Sequence, residues 1–252
     1  VRTALLIVAQ VVFVSLSLHA QLTDSDTSGV RGKVTVSGNY TAGTVSRTLI
    51  IAGAEIGAAN ERLGLWSGVN YAYGTFSGRV TERDVLFRTF GYLSPLERVY
   101  PFAMLWVERS VRRAVDVRLQ PALGGTFVAL RSENASLRFS LSVAPEFVTW
   151  SMPLPTGETQ QEVLRAIGRV AVRVQTDDRV LKLDAELWAQ PNVQEFSDIR
   201  AYAQSTLSAQ VWRSVRLQGT LTWLREEAVP ASVKRNDLFI TLGISYTFGT
   251  AS

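Results

Sequence analysis

From Leu238 to Phe248 the even positions read Leu, Ile, Leu, Ile, Tyr, Phe, and the odd positions between them read Phe, Thr, Gly, Ser, Thr. A period of two is the side-chain period of a β-strand with one apolar and one mostly polar face. The same alternation recurs along nearly the whole chain. After a polar lead, strand-like runs fall at roughly 33–41, 45–58, 62–75, 81–93, 99–110, 115–130, 135–149, 164–176, 180–190, 198–211, 215–226 and 236–248, about twelve in all. In 180–190, Leu181, Leu183, Ala185, Leu187 and Ala189 share one face, and Lys182, Asp184, Glu186, Trp188 and Gln190 the other. In 135–149, Leu137, Phe139, Leu141, Val143 and Phe147 oppose Arg138, Ser140, Ser142 and Glu146. In 164–176, Val170, Val172 and Val174 face away from Arg169, Arg173 and Gln175. Only Thr159–Ala166 offers a helical alternative, and it reads equally well as the start of a strand.

The connections alternate as well. Every other one is short: 60–62, 94–98, 131–135, 176–179 and 212–214. The intervening ones at 74–81, 151–163, 191–197 and 226–236 are longer, while those near Thr41–Thr44 and Val111–Ala114 are short. A meander with one compact end produces this pattern, and outer-membrane barrels pair short turns at one end with longer loops at the other. Greek-key crossovers of a sandwich would break it. The runs span about 9–16 residues, enough for the roughly 9–11 of a membrane-crossing strand. Soluble strands centre on about 5–6. Tyr40, Tyr71, Tyr73, Tyr92, Tyr100, Trp150, Trp212, Trp223, Tyr246 and Phe248 lie near strand ends, as two interfacial girdles would require. The expected fold is all-β: a closed, up-and-down, antiparallel transmembrane barrel of about twelve strands over 33–252. The last strand should close on the first, because an open edge cannot face lipid. Its Tyr246-Thr247-Phe248 resembles the terminal signal read by the barrel assembly machinery, with "GTAS" trailing the Phe.

Composition narrows the picture. The opening "VRTALLIVAQVVFVSLSLHA" combines Arg2, an apolar middle and small residues to Ala20, so 1–20 is expected to be a signal peptide and 21–32 a polar lead. The protein is therefore expected to be exported, to the outer membrane of a Gram-negative-type envelope. The chain has no cysteine, and its single histidine, His19, falls inside that segment. Catalysis by Ser or Cys with a His base, and zinc sites built on His or Cys, are then excluded from the remainder. No cofactor or metal is expected. The net charge is +4, and its basic residues are scattered, so no nucleic-acid partner is expected.

The stretch 84–130 carries Leu93-Ser94-Pro95, Tyr100-Pro101-Phe102, Arg112, Arg113, Asp116 and Arg118, and the adjacent Gly124-Gly125. With "VSGNYTAGTVSRTL" (36–49) it resembles a family of unknown function labelled salt-induced outer membrane protein, over about 33–150. Its usual G-x-G is replaced here by adjacent glycines. The resemblance implies an outer-membrane barrel and no established activity.

In this topology Arg112 and Arg113 occupy a tight outer hairpin, with Asp116 and Arg118 pointing inward and Asp116 pinning the hairpin through lumen arginines; an anion or gating site at the mouth is the alternative. The inward faces also carry Arg88, Glu108, Arg138, Glu146, Arg169, Arg173, Lys182, Asp184, Glu186, Arg200 and Arg216. Mixed charges in a lumen between filled small barrels and open porins should pair and leave a plug or a thin water path. Arginine outnumbers acid, so any conductance should favour anions. Asp184 and Glu186, about 7 Å apart on one strand face, could do acid–base work, but lumen pairing explains them more simply. A narrow, weakly anion-selective channel for small polar solutes is expected, and a non-conducting surface barrel supporting the envelope is the alternative; an enzyme is not. A soluble barrel with inverted faces has the same alternation. The expected partners are outer-membrane lipid, the assembly machinery and small polar or anionic solutes.

Overall fold

The computed structural model describes residues 29–41 and 46–251; the expected signal peptide and most of the polar lead lie outside them. Twelve strands follow one another: β1 Gly29–Thr41, β2 Arg47–Ala59, β3 Leu63–Phe76, β4 Arg79–Leu93, β5 Val99–Ser110, β6 Val115–Arg131, β7 Ala135–Trp150, β8 Gln160–Gln175, β9 Leu181–Pro191, β10 Ile199–Trp212, β11 Val215–Glu226 and β12 Asn236–Ala251. Each pairs antiparallel with its neighbours, and β12 closes on β1 from Gly29↔Ala251 to Gly38↔Leu242. Closure satisfies every edge, which is the condition for a sheet to sit in hydrocarbon.

The faces divide as the alternation requires. Leu123, Leu141, Leu242 and Ile240 are exposed on the outside, while Arg118, Arg165, Glu146 and Gln190 are buried inside. The outward face is therefore the apolar one, which removes the soluble, inverted barrel. Ser67 and Thr89 face outward too, and bond to each other at 2.7 Å. One end has the turns 60–62, 94–98, 132–134, 176–180 and 213–214; the other has 151–159, 192–198 and 227–235. These are called the short-turn and long-loop ends.

Several expectations are corrected. β1 starts at Gly29, so the sheet takes in residues 29–32 of the polar lead. The connection at 74–81 is not a loop: β3 runs to Phe76 and β4 from Arg79, joined by Ser77 and Gly78 at φ 48° and 79°. Two consecutive positive-φ residues make the tight hairpin whose twist matches the strands. The helical alternative at Thr159–Ala166 gives way to β8. Tyr92, Tyr100 and Trp150 are buried in the lumen. The outward rings form two belts, with Tyr71, Tyr73 and Trp223 toward the long-loop end and Trp212, Tyr246 and Phe248 toward the short-turn end.

At the closing seam Gly32 pairs with Phe248. The Phe248 ring lies over Gly32, where a Cβ would collide with it. The ring also stacks on Tyr246, centroids 6.3 Å apart.

Candidate functional site

The inner wall is charged at three levels. At the long-loop level, Glu108 on β5 and Arg118 on β6 are cross-strand neighbours bonded at 2.9 Å. Arg118 then spans the lumen to Glu226 on β11. From the facing wall Arg200 on β10 reaches Glu146 on β7 at 2.6 Å and Gln120 on β6 at 2.9 Å. Arg165 on β8 donates to Glu146 at 2.7 Å and to the Asp198 carbonyl at 3.1 Å. Gln120 and Gln190 join β6 to β9 at 3.0 Å. Arg118, Arg165, Glu146 and Glu226 are almost wholly inaccessible. Charges this deep persist only when paired, and deleting one partner costs about 3–5 kcal/mol.

The β5–β6 hairpin tip adds a second bar. Arg113 is 2% exposed and donates to Glu226, and to Asp237 of β12 at 3.1 Å. Arg112 pairs with Asp237 and lies 4.3 Å from the Phe239 ring centroid. Strands β5–β6 stand opposite β11–β12 in the ring, so the tip crosses the mouth. The Val111 amide donates to Asp84 of β4 at 2.9 Å. Asp116, expected to pin this hairpin from within, is exposed. The pairing register shifts between Val115 and Val117, and such a bulge turns Val115 in and Asp116 out. Asp84, Glu226 and Asp237 hold the hairpin instead. Above them Leu154 of the 151–159 loop packs on Val115, Val148 and Trp150.

From mid-height toward the short-turn end the interior is aromatic. Phe90, Tyr92, Tyr100, Phe102, Met104 and Trp106 of β4 and β5 cluster with Trp188 of β9 and Tyr202 of β10. Contacts cross the lumen: Trp106 lies 5.9 Å from Trp188 and Phe90 6.2 Å from Trp188, in edge or tilted geometry. Arg88 sits among Trp66, Trp106, Trp188 and Tyr202 and bonds Glu186 at 2.9 Å, while Arg169 bonds the other Glu186 oxygen at 3.0 Å.

Toward the short-turn end, Asp184 takes Arg173 and Lys182, each at 2.9 Å, and Lys33 pairs with Glu55 at 2.7 Å. Both Asp184 and Glu186 are thus engaged by cations. Arg138 is buried on the inner face of β7. Arg216 bonds Ser208 Oγ at 3.1 Å and the Val180 carbonyl at 3.0 Å, bracing the 176–180 turn rather than standing free in the lumen.

The wall facing this filling is built from short side chains. Thr35 of β1, Asn70 of β3, Thr206 of β10 and Thr220 of β11 point inward and keep part of their surface accessible. Gly53 and Gly57 lie on the inner face of β2.

Sequence reasoning placed Arg88, Glu108, Arg118, Arg138, Glu146, Arg169, Arg173, Lys182, Asp184, Glu186 and Arg200 on inner faces, where they stand. It missed Arg165, Glu226 and the aromatic fill. Arg165 shares the face of Arg169 and Arg173, but lay in the stretch with a helical alternative. Glu226 stood at the edge of a presumed loop.

No protein-family model matches the chain, and no curated protein sequence matches it. Among solved structures it is similar to the NanC porin, with 9% identity over 84% of this chain and 98% of that one, at a TM-score of 0.55. It is also similar to an outer membrane channel from Pseudomonas putida F1, with 12% identity over 93% of this chain and 100% of that one, at a TM-score of 0.52. The fold is thus that of outer-membrane channel barrels.

Proposed function

We propose that this barrel sits in the outer membrane of a Gram-negative-type envelope, short-turn end inward, as a narrow gated pore for small polar solutes. The observation that carries the reading is the uneven filling of the lumen. The buried aromatic cluster is drawn mainly from β4, β5, β9 and β10, while the inner faces of β1, β2, β11 and β12 contribute none of its buried rings and carry shorter and polar side chains among their ion pairs. A passage beside the aromatic cluster would run off-axis and meet, at its outer end, the hairpin tip held on Glu226 and Asp237. Cations outnumber acids on the inner faces of the described strands, which favours anions weakly. That the similar structures are a porin and an outer membrane channel supports a transport role. Planar-bilayer recording tests it: small, weakly anion-selective steps support the pore, and a large cation-selective conductance contradicts it.

The buried aromatic cluster favours a second reading, a non-conducting barrel that presents its loops and supports the envelope. The resemblance of 84–130 to the salt-induced family fits that role under stress. Silence of the wild type and of every gate variant would select it.

A further inference from the structure

The outer surface of the barrel carries many exposed leucines and valines, and across β8 to β11 it is hollowed. Across β8 to β11, Ala185 and Ala203 form a floor between Val170, Leu187, Leu221 and Trp223, enclosing a groove of about 290 Å³. Every one of these side chains points outward. Register sets them side by side: Val170↔Leu187, Leu187↔Ala203 and Ala203↔Trp223 are cross-strand pairs. The floor exists because the two outward alanines are flanked by the longer Val170, Leu187, Leu221 and Trp223.

Directly toward the long-loop end, the same face of β11 continues from Trp223 to Arg225. The following loop adds Lys234 and Arg235, both exposed. Glu227 lies among them, bridged to Arg225 and, at 3.1 Å, to Arg235. Three cations against this one carboxylate leave the rim positive. Strand rise puts Arg225 about 7 Å above Trp223 and about 13 Å above Leu221. With the strands tilted by about 35–45°, that is about 10 Å of depth, so cations at headgroup height would leave the groove within one leaflet of the roughly 30 Å hydrocarbon layer.

We propose that this face holds a phosphate-bearing lipid of the outer leaflet, with an acyl chain in the groove and its phosphate on Arg225, Lys234 and Arg235. A neutral lipid matches only the groove, and free phosphate only the rim; the combination selects an anionic amphiphile. Trp223, between the two, is the ring type that sits at a membrane interface. The inference rests on the membrane reading and on its orientation.

The test is native mass spectrometry of the purified full chain in detergent, titrated with dilauroyl phosphatidic acid or with dilauroylglycerol. The wild type should keep one phosphatidic acid and lose the diacylglycerol at several-fold lower collision energy. Ala203→Phe fills the floor on an outward face, and should weaken retention of both lipids at least tenfold. Arg225→Ser with Lys234→Ser and Arg235→Ser should weaken only the phosphatidic acid. Equal retention in all three proteins would mean ordinary boundary lipid and overturn the site. Equal competition by inorganic phosphate would leave only a rim anion site and overturn the lipid. Dimers that vanish with Ala203→Phe would make the occupant a second copy. Heat-modifiable gel mobility of the same samples, which shows whether the barrel has formed, keeps these outcomes separate from failure of the membrane reading.

Discussion

Arg118 and Glu226 meet across the barrel, from β6 to β11, with each side chain only 1% exposed. Arg113 approaches the same carboxylate from the hairpin tip, so one acid holds two arginines that arrive from different parts of the opposite wall. Glu226→Gln removes the charge and retains the shape. It should lower stability by about 3–5 kcal/mol, the cost of leaving a buried partner unpaired. It should also raise single-channel conductance or open frequency. Denaturant titration followed by tryptophan fluorescence and bilayer recording read the two effects, and an unchanged protein in both would remove Glu226 from the gate.

The face assignment has its own test. Leu183 faces lipid and Lys182 the lumen on the same strand. Leu183→Arg should cost about 1–2 kcal/mol, between the interface and midplane values because Leu183 lies toward the short-turn end, and reduce the yield of heat-modifiable barrel in vesicles. Lys182→Leu should leave that yield closer to the wild type. The reverse ranking would invert the faces.

Arg138 and Arg173 bear on selectivity rather than on the gate. Replacing both with Ser takes two cations from the short-turn half of the lumen. Conductance should rise and the anion preference fall, measured as a shift of reversal potential in a salt gradient. A double variant as silent as a silent wild type supports the non-conducting reading.

At the seam, Phe248→Ala uncovers Gly32, and Gly32→Leu displaces the same ring. Each should slow appearance of the closed form in a refolding time course. Because they disturb one contact, the pair together should be less damaging than the sum of the two, a non-additivity that only contacting sites show. Additive effects would show that ring and glycine act apart.

The fold was legible because period-two alternation survives in every strand, and because closure follows from the need to satisfy edges in lipid. Inner and outer faces could be read from parity alone wherever pairing is regular. Parity fails at a bulge, and Asp116 is where it failed: one extra residue near Val115 turns the expected inward acid out to solvent. It also says nothing of which inward residues meet across the lumen. Arg200 and Glu146 stand on β10 and β7, yet bond at 2.6 Å; only the barrel's diameter and tilt decide that. The aromatic interior was hidden for a similar reason. Tyr92, Tyr100 and Trp150 sit near strand ends like girdle residues, and their parity was the sole sign that they point inward.

The short side chains behind β12, β1 and β2 have a mechanical consequence. The β1–β12 ladder is held by its hydrogen bonds and by rings such as Phe248, and is backed from within by Arg31, Ser37, Thr241, Ser245 and Thr247 rather than by the aromatic core. The far side is backed by a packed core. Thermal breathing should therefore begin at this seam, and its amides, Val34 and Ile244 among them, should exchange with deuterium sooner than those of Phe102 and Ala122. The flank that carries the aromatic core should be the stiffer one, and the line where the sheet shuts on itself the first to yield.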